Sequence, residues 1–91
     1  MAGIEYDQLK RQKTLLERGL DFAHAEQVFH GTHFTAEDSR QNYGEIRYIT
    51  IGTLAERLVV IVWTWRDKNR RIISMRKANE REQQRFTSYL D

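Results

Sequence analysis

Arginine is the residue type whose chemistry stands out in this sequence. Eleven of the fifteen basic residues are Arg, and a guanidinium holds phosphate through two parallel hydrogen bonds where Lys offers only a point charge. Arg47 and Arg76 stand beside aliphatic residues in segments of strand composition, with Ser74 close to Arg76 and Trp63 in a neighbouring apolar run. Two guanidiniums, a hydroxyl and an indole are the parts of a pocket for a phosphate and a stacked base.

Other polar residues are candidates for supporting roles around these four. Glu45 could transfer a proton or orient an Arg, and we favour the orienting role. Lys10 is a candidate for a phosphate contact. Three cations of the second half of the chain complete the predicted nucleic-acid contacts: Arg66, Arg71 and Lys77. The other basic residues there are interpreted as solvated charge or general attraction to a polyanion: Arg57, Lys68, Arg70, Arg81 and Arg85.

A structural role is the alternative for each candidate. For Trp63 we favour a core position over a base-stacking role by about two to one, because burial is the commoner use of a strand Trp. Ser74 could be a satisfied strand hydroxyl. A salt bridge to Glu45 or Glu82 could explain Arg47 and Arg76.

Histidine and cysteine give little support for other chemistry. His30 and His33 lack an identifiable third ligand, so we predict neither a metal nor a cofactor. The sequence has no Cys, which excludes disulfides and thiolate chemistry and is typical of a cytoplasmic protein. The beginning of the chain does not resemble an export signal, and the longest apolar run, residues 58–65, is too short for a membrane span.

Length and charge indicate one domain with an anionic partner. With 91 residues the chain can build a single modest core, and we expect one domain over residues 1–91. Residues 1–45 carry eight acids and five bases, whereas residues 46–91 carry five acids and ten bases. This asymmetry favours a polyanion as partner.

The pattern of the first half predicts two helices. Asp7 can cap a helix over residues 8–18, with Leu9, Leu15 and Leu16 as its apolar side, and Gly19 suits its end. Asp21 can cap a second helix that ends at Gly31. Its apolar residues recur at helical spacing: Phe22, Ala25, Val28 and Phe29. Ile4, Glu5 and Tyr6 favour a short edge strand.

The second half predicts a sheet and a closing helix. Residues 32–45 are polar and indicate a loop with a few strand-like residues at 33–35. Residues 46–52, 58–66 and 71–77 are β-branched and aromatic, with the spacing of an antiparallel meander. Asn79 to Glu82 has the form of a capping box. It opens a helix expected to carry three residues inward: Phe86, Tyr89 and Leu90. We therefore predict an α+β fold: two N-terminal helices, an antiparallel sheet of three to four strands and a C-terminal helix.

Loop lengths predict a register for this sheet. Read literally, they place Gly52 opposite Leu58 and Arg66 opposite Arg71. Alternation then assigns Arg66 and Arg71 to one face. The opposite face gathers the proposed pocket: Arg47, Trp63, Ser74 and Arg76. A shift of one residue in either pairing would regroup these side chains.

Four segments together resemble the BrnT family of bacterial toxins. The opening Ile-Glu-Tyr-Asp with Lys10 is similar to the family's aromatic-Asp followed by Lys. Gly19-Leu-Asp-Phe22 with Val28-Phe29, and the strand Gly-Glu-Ile-Arg-Tyr-Ile-Thr-Ile-Gly at 44–52, match two further signatures. The strongest segment joins Thr64-x-Arg66 to Arg-Ile-Ile-Ser-Met-Arg-Lys-Ala at 71–78 and to Glu82. Two positions depart from the family pattern, since Thr14 replaces an Asn and Glu17-Arg18-Gly19 replaces Lys-His-Gly. An acid–base role for that His therefore cannot be transferred.

The resemblance implies a RelE-like fold and a ribonuclease toxin of a type II toxin–antitoxin system. It implies metal-independent RNA cleavage that inhibits translation and growth. It also implies a cognate BrnA-like ribbon-helix-helix antitoxin, through which alone the protein would meet operator DNA. Whether a ribosome takes part, and which groups are general base and acid, stay open. The alternative is a non-catalytic nucleic-acid-binding or protein-interaction module, because every Arg could bind without cutting.

Overall fold

The computed structural model describes residues 2–90, which form three α-helices, one 3-10 turn and five strands. In chain order these are β1 (Ile4–Tyr6), α1 (Gln8–Arg18), a 3-10 turn (Phe22–His24), α2 (Ala25–His30), β2 (His33–Glu37), β3 (Tyr48–Leu54), β4 (Arg57–Arg66), β5 (Asn69–Lys77) and α3 (Glu80–Leu90). The α+β class is confirmed. Within these residues no helix has the length and apolar character needed to cross a membrane.

The sheet is larger than predicted and is mixed. Its strand order is β1-β5-β4-β3-β2, with β1 parallel to β5 and the other neighbours antiparallel. The prediction of an antiparallel sheet of three to four strands is confirmed for β2 to β5, but it missed that β1 adds a fifth strand in the parallel direction. Residues 33–37, of which only three were recognised as strand-like, pair along their whole length with β3. β1 can lie parallel to β5 because the chain between them crosses the sheet. The helices carry it to β2 at the opposite edge, and the remaining strands bring it back to β5.

The two faces of the sheet are covered differently. One face, here called the core face, carries Val59, Ile61 and Trp63 and packs with Phe22, Ala25 and Val28 of the N-terminal helices. The opposite face, here called the α3 face, carries Val60 and Ile51 and is partly covered by α3. The core cluster lies on the core face. The part of the opposite face that α3 leaves uncovered can therefore carry polar side chains.

The predicted helix ends are confirmed. The Asp7 carboxylate accepts from the Lys10 amide at 3.0 Å, and Gly19 ends α1 with φ of 69°, a conformation that glycine adopts without steric cost. The Asn79 side chain accepts from the Glu82 amide at 2.8 Å. Glu82 in turn accepts from the Asn79 amide at 2.9 Å, which completes the capping box.

Some apolar residues of the helices are exposed. On α1, where they form the predicted apolar side, Leu9 and Leu16 are 77% and 88% exposed. On α3, Tyr89 and Leu90 are 71% and 56% exposed, so the prediction that they point inward was wrong. Phe86 is buried as predicted. A groove of about 450 Å³ between α3 and the sheet, bordered by Phe86 and Tyr89, explains why α3 buries only part of its apolar side.

Tight turns make the real register differ from the predicted one. Gly52 pairs with Val59 and Arg66 with Asn69, because the hairpins turn through residues 55–56 and 67–68 rather than through longer loops. Ala55 and Glu56 both have positive φ, 49° and 67°, which is the backbone of a type I′ turn. Neither residue type is typical of that turn, so the composition of the segment does not indicate it.

Candidate active site

The α3 face brings together arginines from both hairpins. Arg71 pairs with Thr64, Ser74 with Val62 and Arg76 with Val60, and residues paired across strands share a face. A β-bulge next to Val62 and Trp63 accommodates the extra residue that places Arg71 and Ser74 on the same side. The predicted division of the arginines between two faces was therefore wrong.

Arg76 is held by a two-point ion pair with Glu82. Its Nη1 lies 2.7 Å from Glu82 Oε1 and its Nη2 lies 2.8 Å from Glu82 Oε2. Hydrogen bonds from Arg76 lower the pKa of Glu82 to about 2, against the effect of burial. Glu82 also caps α3, so it fixes the position of Arg76 relative to that helix.

Arg47 lies directly before β3, where Tyr48 pairs with Trp63. The next position of β4 is Thr64, so alternation brings Arg47 to the α3 face beside Thr64. Its Nε donates to Glu45 Oε2 at 3.0 Å, and its Cζ lies 4.1 Å from the centre of the Tyr43 ring. The contact between Glu45 and Arg47 is the geometry that an orienting role for Glu45 requires.

A further arginine comes from the segment that we had interpreted as a polar loop. The side chain of Asp38 is fully buried and accepts from Arg40 Nε and Nη2, each at 2.8 Å, and from the Tyr43 hydroxyl at 3.2 Å. These donors, led by Arg40, hold the pKa of Asp38 well below its usual value. The Asp38 amide donates to the Arg47 carbonyl at 2.7 Å, which brings this segment beside Arg47. The positive charge of Arg40 also acts to lower the pKa of Arg76.

We refer to Arg40, Arg47, Arg71 and Arg76 as the arginine cluster. Arg71 donates to Glu5 of β1 at 3.2 Å, so each member of the cluster has one carboxylate partner. Ser74 is half-buried between Arg71 and Arg76 on β5. Arg66 lies on the same face at the end of the hairpin, and among residues 2–90 no carboxylate lies within ion-pair distance of it.

Two predicted site residues lie away from the cluster, and a third, Lys77, lies at its margin. Trp63 is a core residue, 4% exposed, whose Nε1 donates to Thr50 Oγ1 at 2.8 Å. It therefore lies on the core face, and the prediction that it shares a pocket with Arg76 was wrong. Lys10 is exposed on α1, which belongs to the layer over the core face. Lys77 lies at the end of β5, where it borders a surface cleft together with Glu17, Arg18 and Arg76.

Arg18 contacts this edge of β5 although it had no predicted role. Its Nη1 donates to the Met75 carbonyl at 2.9 Å, which satisfies a backbone group beyond the reach of β1. Arg18 occupies the position of the His in the family pattern. Its guanidinium offers N–H donors and no acceptor, so this residue brings positive charge and hydrogen-bond donors to the edge.

The histidines are not gathered into a metal site in the part of the chain that the structure describes. His33 Nδ1 lies 2.8 Å from the Gly31 carbonyl, and His30 Nε2 lies 3.8 Å from Glu26. No group of three or more potential metal ligands occurs among residues 2–90. The chemistry carried by the α3 face is that of guanidiniums held in place by carboxylates, which suits a phosphodiester group.

Comparison with known protein families gives this geometry a context. No curated protein matches the chain. The family described as the ribonuclease toxin BrnT of type II toxin–antitoxin systems matches residues 6–82. That range contains the whole arginine cluster with Ser74 and Glu82, and it covers most of the 91 residues. The chain therefore belongs to the BrnT family of ribonuclease toxins.

Proposed function

We propose that this protein, as a single domain over residues 1–91, is a metal-independent endoribonuclease that cleaves RNA at the arginine cluster. Cleavage would inhibit translation and growth in the cytoplasm until a cognate antitoxin blocks it. The observation that carries the proposal is the two-point pair of Arg76 with Glu82 on a face that also presents Arg40, Arg47 and Arg71. Family membership supports the ribonuclease activity.

The guanidiniums supply the electrostatic part of the reaction. The 2′-hydroxyl gives its proton to a general base as its oxygen attacks the adjacent phosphorus. The bond to the 5′-oxygen breaks, that oxygen takes a proton from a general acid to leave as a 5′-hydroxyl, and a 2′,3′-cyclic phosphate remains. Negative charge grows on the phosphate oxygens, and preorganised donors such as Arg76 and Arg47 stabilise it. Because fixed guanidiniums provide this stabilisation, the proposed reaction does not depend on a bound metal. We assign to Ser74, which lies between Arg71 and Arg76 on the strand, a contact with the phosphate through its hydroxyl.

The neighbouring carboxylates act by positioning these cations. Glu82, whose pKa is about 2, is a poor general base near neutral pH because a useful catalytic pKa lies near the operating pH. Its role is to hold Arg76 at a fixed angle, and Glu45 does the same for Arg47. An RNA phosphate can then replace a carboxylate oxygen as a hydrogen-bond acceptor of each guanidinium.

Neutralisation is assigned to a segment of a BrnA-like ribbon-helix-helix antitoxin that covers the α3 face. The cluster offers cations to acidic residues of such a segment. The adjoining groove offers apolar contacts from Phe34, Ile49 and Phe86. An amphipathic antitoxin segment with acidic residues fits both features, and it would exclude RNA by occupancy and by competing for the same cations.

The experiment that tests the proposed activity is incubation of the purified protein with RNA in excess EDTA, with and without ribosomes. Cleavage under these conditions is expected and would establish a metal-independent enzyme. RNA that is bound but not cut in both arms would favour a non-catalytic binding module. Cleavage only in the ribosome arm would keep the activity and define its substrate as RNA on the ribosome.

A further inference from the structure

Arg70 occupies an aromatic cage on the core face, at the end of the β4–β5 hairpin. It pairs across the sheet with Trp65. Its Cζ lies 4.2 Å from the centre of the Phe29 ring and 5.2 Å from those of Trp63 and Trp65. A guanidinium stacked on aromatic rings keeps its hydrogen-bonding edge available for a ligand while its flat faces are covered. Of the two interpretations of Arg70, solvated charge is wrong because its guanidinium lies against aromatic rings, and attraction to a polyanion stays a prediction.

The charge of Arg70 is not balanced by an acid. Each arginine of the cluster, and Arg11 as well, has a carboxylate within ion-pair distance, whereas within residues 2–90 Arg70 has none. Its Nε is buried and has no hydrogen-bond partner among these residues. A partly buried cation without a carboxylate partner is costly unless an anion binds it. Since Nε is itself covered, an anion would bind Arg70 through the terminal nitrogens of the guanidinium.

The surroundings of Arg70 suit a nucleic acid better than an isolated anion. Trp65, which contacts the guanidinium, is 45% exposed and can offer its free surface to a base. A cavity of about 260 Å³ adjoins Arg70 and is bordered by Phe29, His30 and Glu26. The Glu26 carboxylate disfavours a phosphate inside this cavity, so an anion would approach Arg70 from the side of Trp65.

The same hairpin end carries cations toward both faces. Arg66 and Arg71 lie on the α3 face, and Trp65 and Arg70 lie on the core face. Lys68 is exposed in the turn next to Asp67, so residues 66–71 carry four cations and one acid. A polyanion that leaves the arginine cluster past Arg71 therefore meets positive charge around the end of the hairpin. Favourable contact with phosphates along this path holds a flexible single strand.

We propose that Arg70 and Trp65 form a second contact site for single-stranded RNA, in which Arg70 binds a phosphate and Trp65 stacks on a neighbouring base. The RNA would extend from the arginine cluster around the β4–β5 hairpin to the core face. This inference rests on the proposed ribonuclease function, and it adds that nucleotides beyond the cleaved bond contribute to binding.

The test measures binding of a single-stranded 2′-O-methyl RNA, which the proposed mechanism cannot cleave, by fluorescence anisotropy over a series of salt concentrations. The variants are Arg70→Gln and Trp65→Leu, with Arg57→Gln as a matched loss of charge at the other end of β4. Loss of one phosphate contact should reduce the slope of log Kd against log salt by about 0.7. Loss of one stacking contact should weaken binding about tenfold with little change in slope.

We expect Arg70→Gln to reduce both affinity and salt slope, Trp65→Leu to reduce affinity, and Arg57→Gln to have a smaller effect than either. Circular dichroism identifies folded variants, and the affinity of Trp65→Leu decides the outcome should Arg70→Gln fail to fold. Folded variants that bind like Arg57→Gln would overturn this inference while leaving cleavage at the arginine cluster intact. A wild-type protein that neither binds nor cleaves RNA would overturn the proposed function together with it.

Discussion

Arg76 and Glu82 join strand β5 to the first turn of α3 through two hydrogen bonds of 2.7 and 2.8 Å. Glu82 simultaneously accepts the Asn79 amide, so one carboxylate both starts the helix and fixes the cation. The candidate site is thus attached to a regular strand and a capped helix, which is the kind of support that keeps a catalytic side chain within a narrow range of positions.

Replacing Arg76 with Ala should abolish growth inhibition and slow RNA cleavage by about 10²–10³, because one preorganised contact to the transition state is lost. Arg76→Lys should retain part of the activity, since it keeps the charge but not the two-point geometry. Arg81→Ala, which removes an exposed cation from the same end of α3, is the matched control. A folded Arg76→Ala protein that cleaves at the wild-type rate would disprove the assignment.

Arg47→Ala should reduce cleavage to a similar degree, because Arg47 lies on the α3 face like Arg76 but is contributed by the β3–β4 hairpin. Rates are compared under single-turnover conditions, and folding is checked by circular dichroism. Activity that survives the loss of Arg47 and of Arg76 would move the centre toward Arg66 and Arg71 at the hairpin end.

Glu82→Ala should act chiefly through stability, with a loss of roughly 0.5–2 kcal/mol, because the cap of α3 is removed. Glu82→Gln should lose less, since Gln can also serve in a capping box. Urea unfolding measures both variants, and their cleavage rates per folded molecule should fall less than that of Arg76→Ala. A Glu82→Ala protein with unchanged stability but no cleavage would show that Glu82 contacts the reacting groups.

Asp21 and Glu82 should contribute to acid destabilisation, in addition to Asp38, whose pKa Arg40 holds well below its usual value. Arg11 lowers the pKa of Asp21 from 3.8 to about 2, and Arg76 lowers that of Glu82 from 4.5 to about 2. Their stabilising contribution is therefore complete above pH 4.5 and is lost as the pH falls toward 2. Urea midpoints between pH 7 and pH 2 should fall less steeply for the Asp21→Asn, Glu82→Gln double variant. An acid response equal to that of the wild type would refute this explanation.

Charge reversal at the cluster should weaken the antitoxin complex. Arg47→Glu or Arg76→Glu is expected to raise the Kd for the co-purified antitoxin about tenfold or more, because like charges then face each other. Arg81→Glu is the control for a change in overall charge. Unchanged affinity in both cluster variants would place inhibition on a remote surface, most simply the N-terminal helices, where Leu9 and Leu16 are exposed.

Local signals in the sequence predicted the helix ends well because capping depends on neighbouring residues. Asp7, Gly19 and the Asn79–Glu82 box could each be identified from their own side-chain chemistry. The two ion pairs considered as alternatives for Arg47 and Arg76 are also present, since both join residues that lie close in the sequence.

Long-range arrangement was predicted less well. The face of Arg71 depends on a β-bulge and on tight turns at residues whose types do not favour them, so strand alternation alone assigned it wrongly. Arg40 was missed because its partner, the buried Asp38, lies in a segment whose polar composition indicates only a loop. The cage around Arg70 combines Phe29 from α2 with β4, a contact between distant parts of the chain that no local pattern reveals.

The most direct test of the central claim is single-turnover cleavage in excess EDTA of an RNA and of the same RNA carrying one 2′-deoxy nucleotide at the cleaved position. If ribosomes prove necessary, both substrates are presented on them. We predict that the wild type cuts the first RNA to leave a 2′,3′-cyclic phosphate, spares the second at that bond, and loses activity on Arg76→Ala substitution. No cleavage of the first RNA, or equal cleavage of both, would contradict a metal-independent reaction of the 2′-hydroxyl at the arginine cluster.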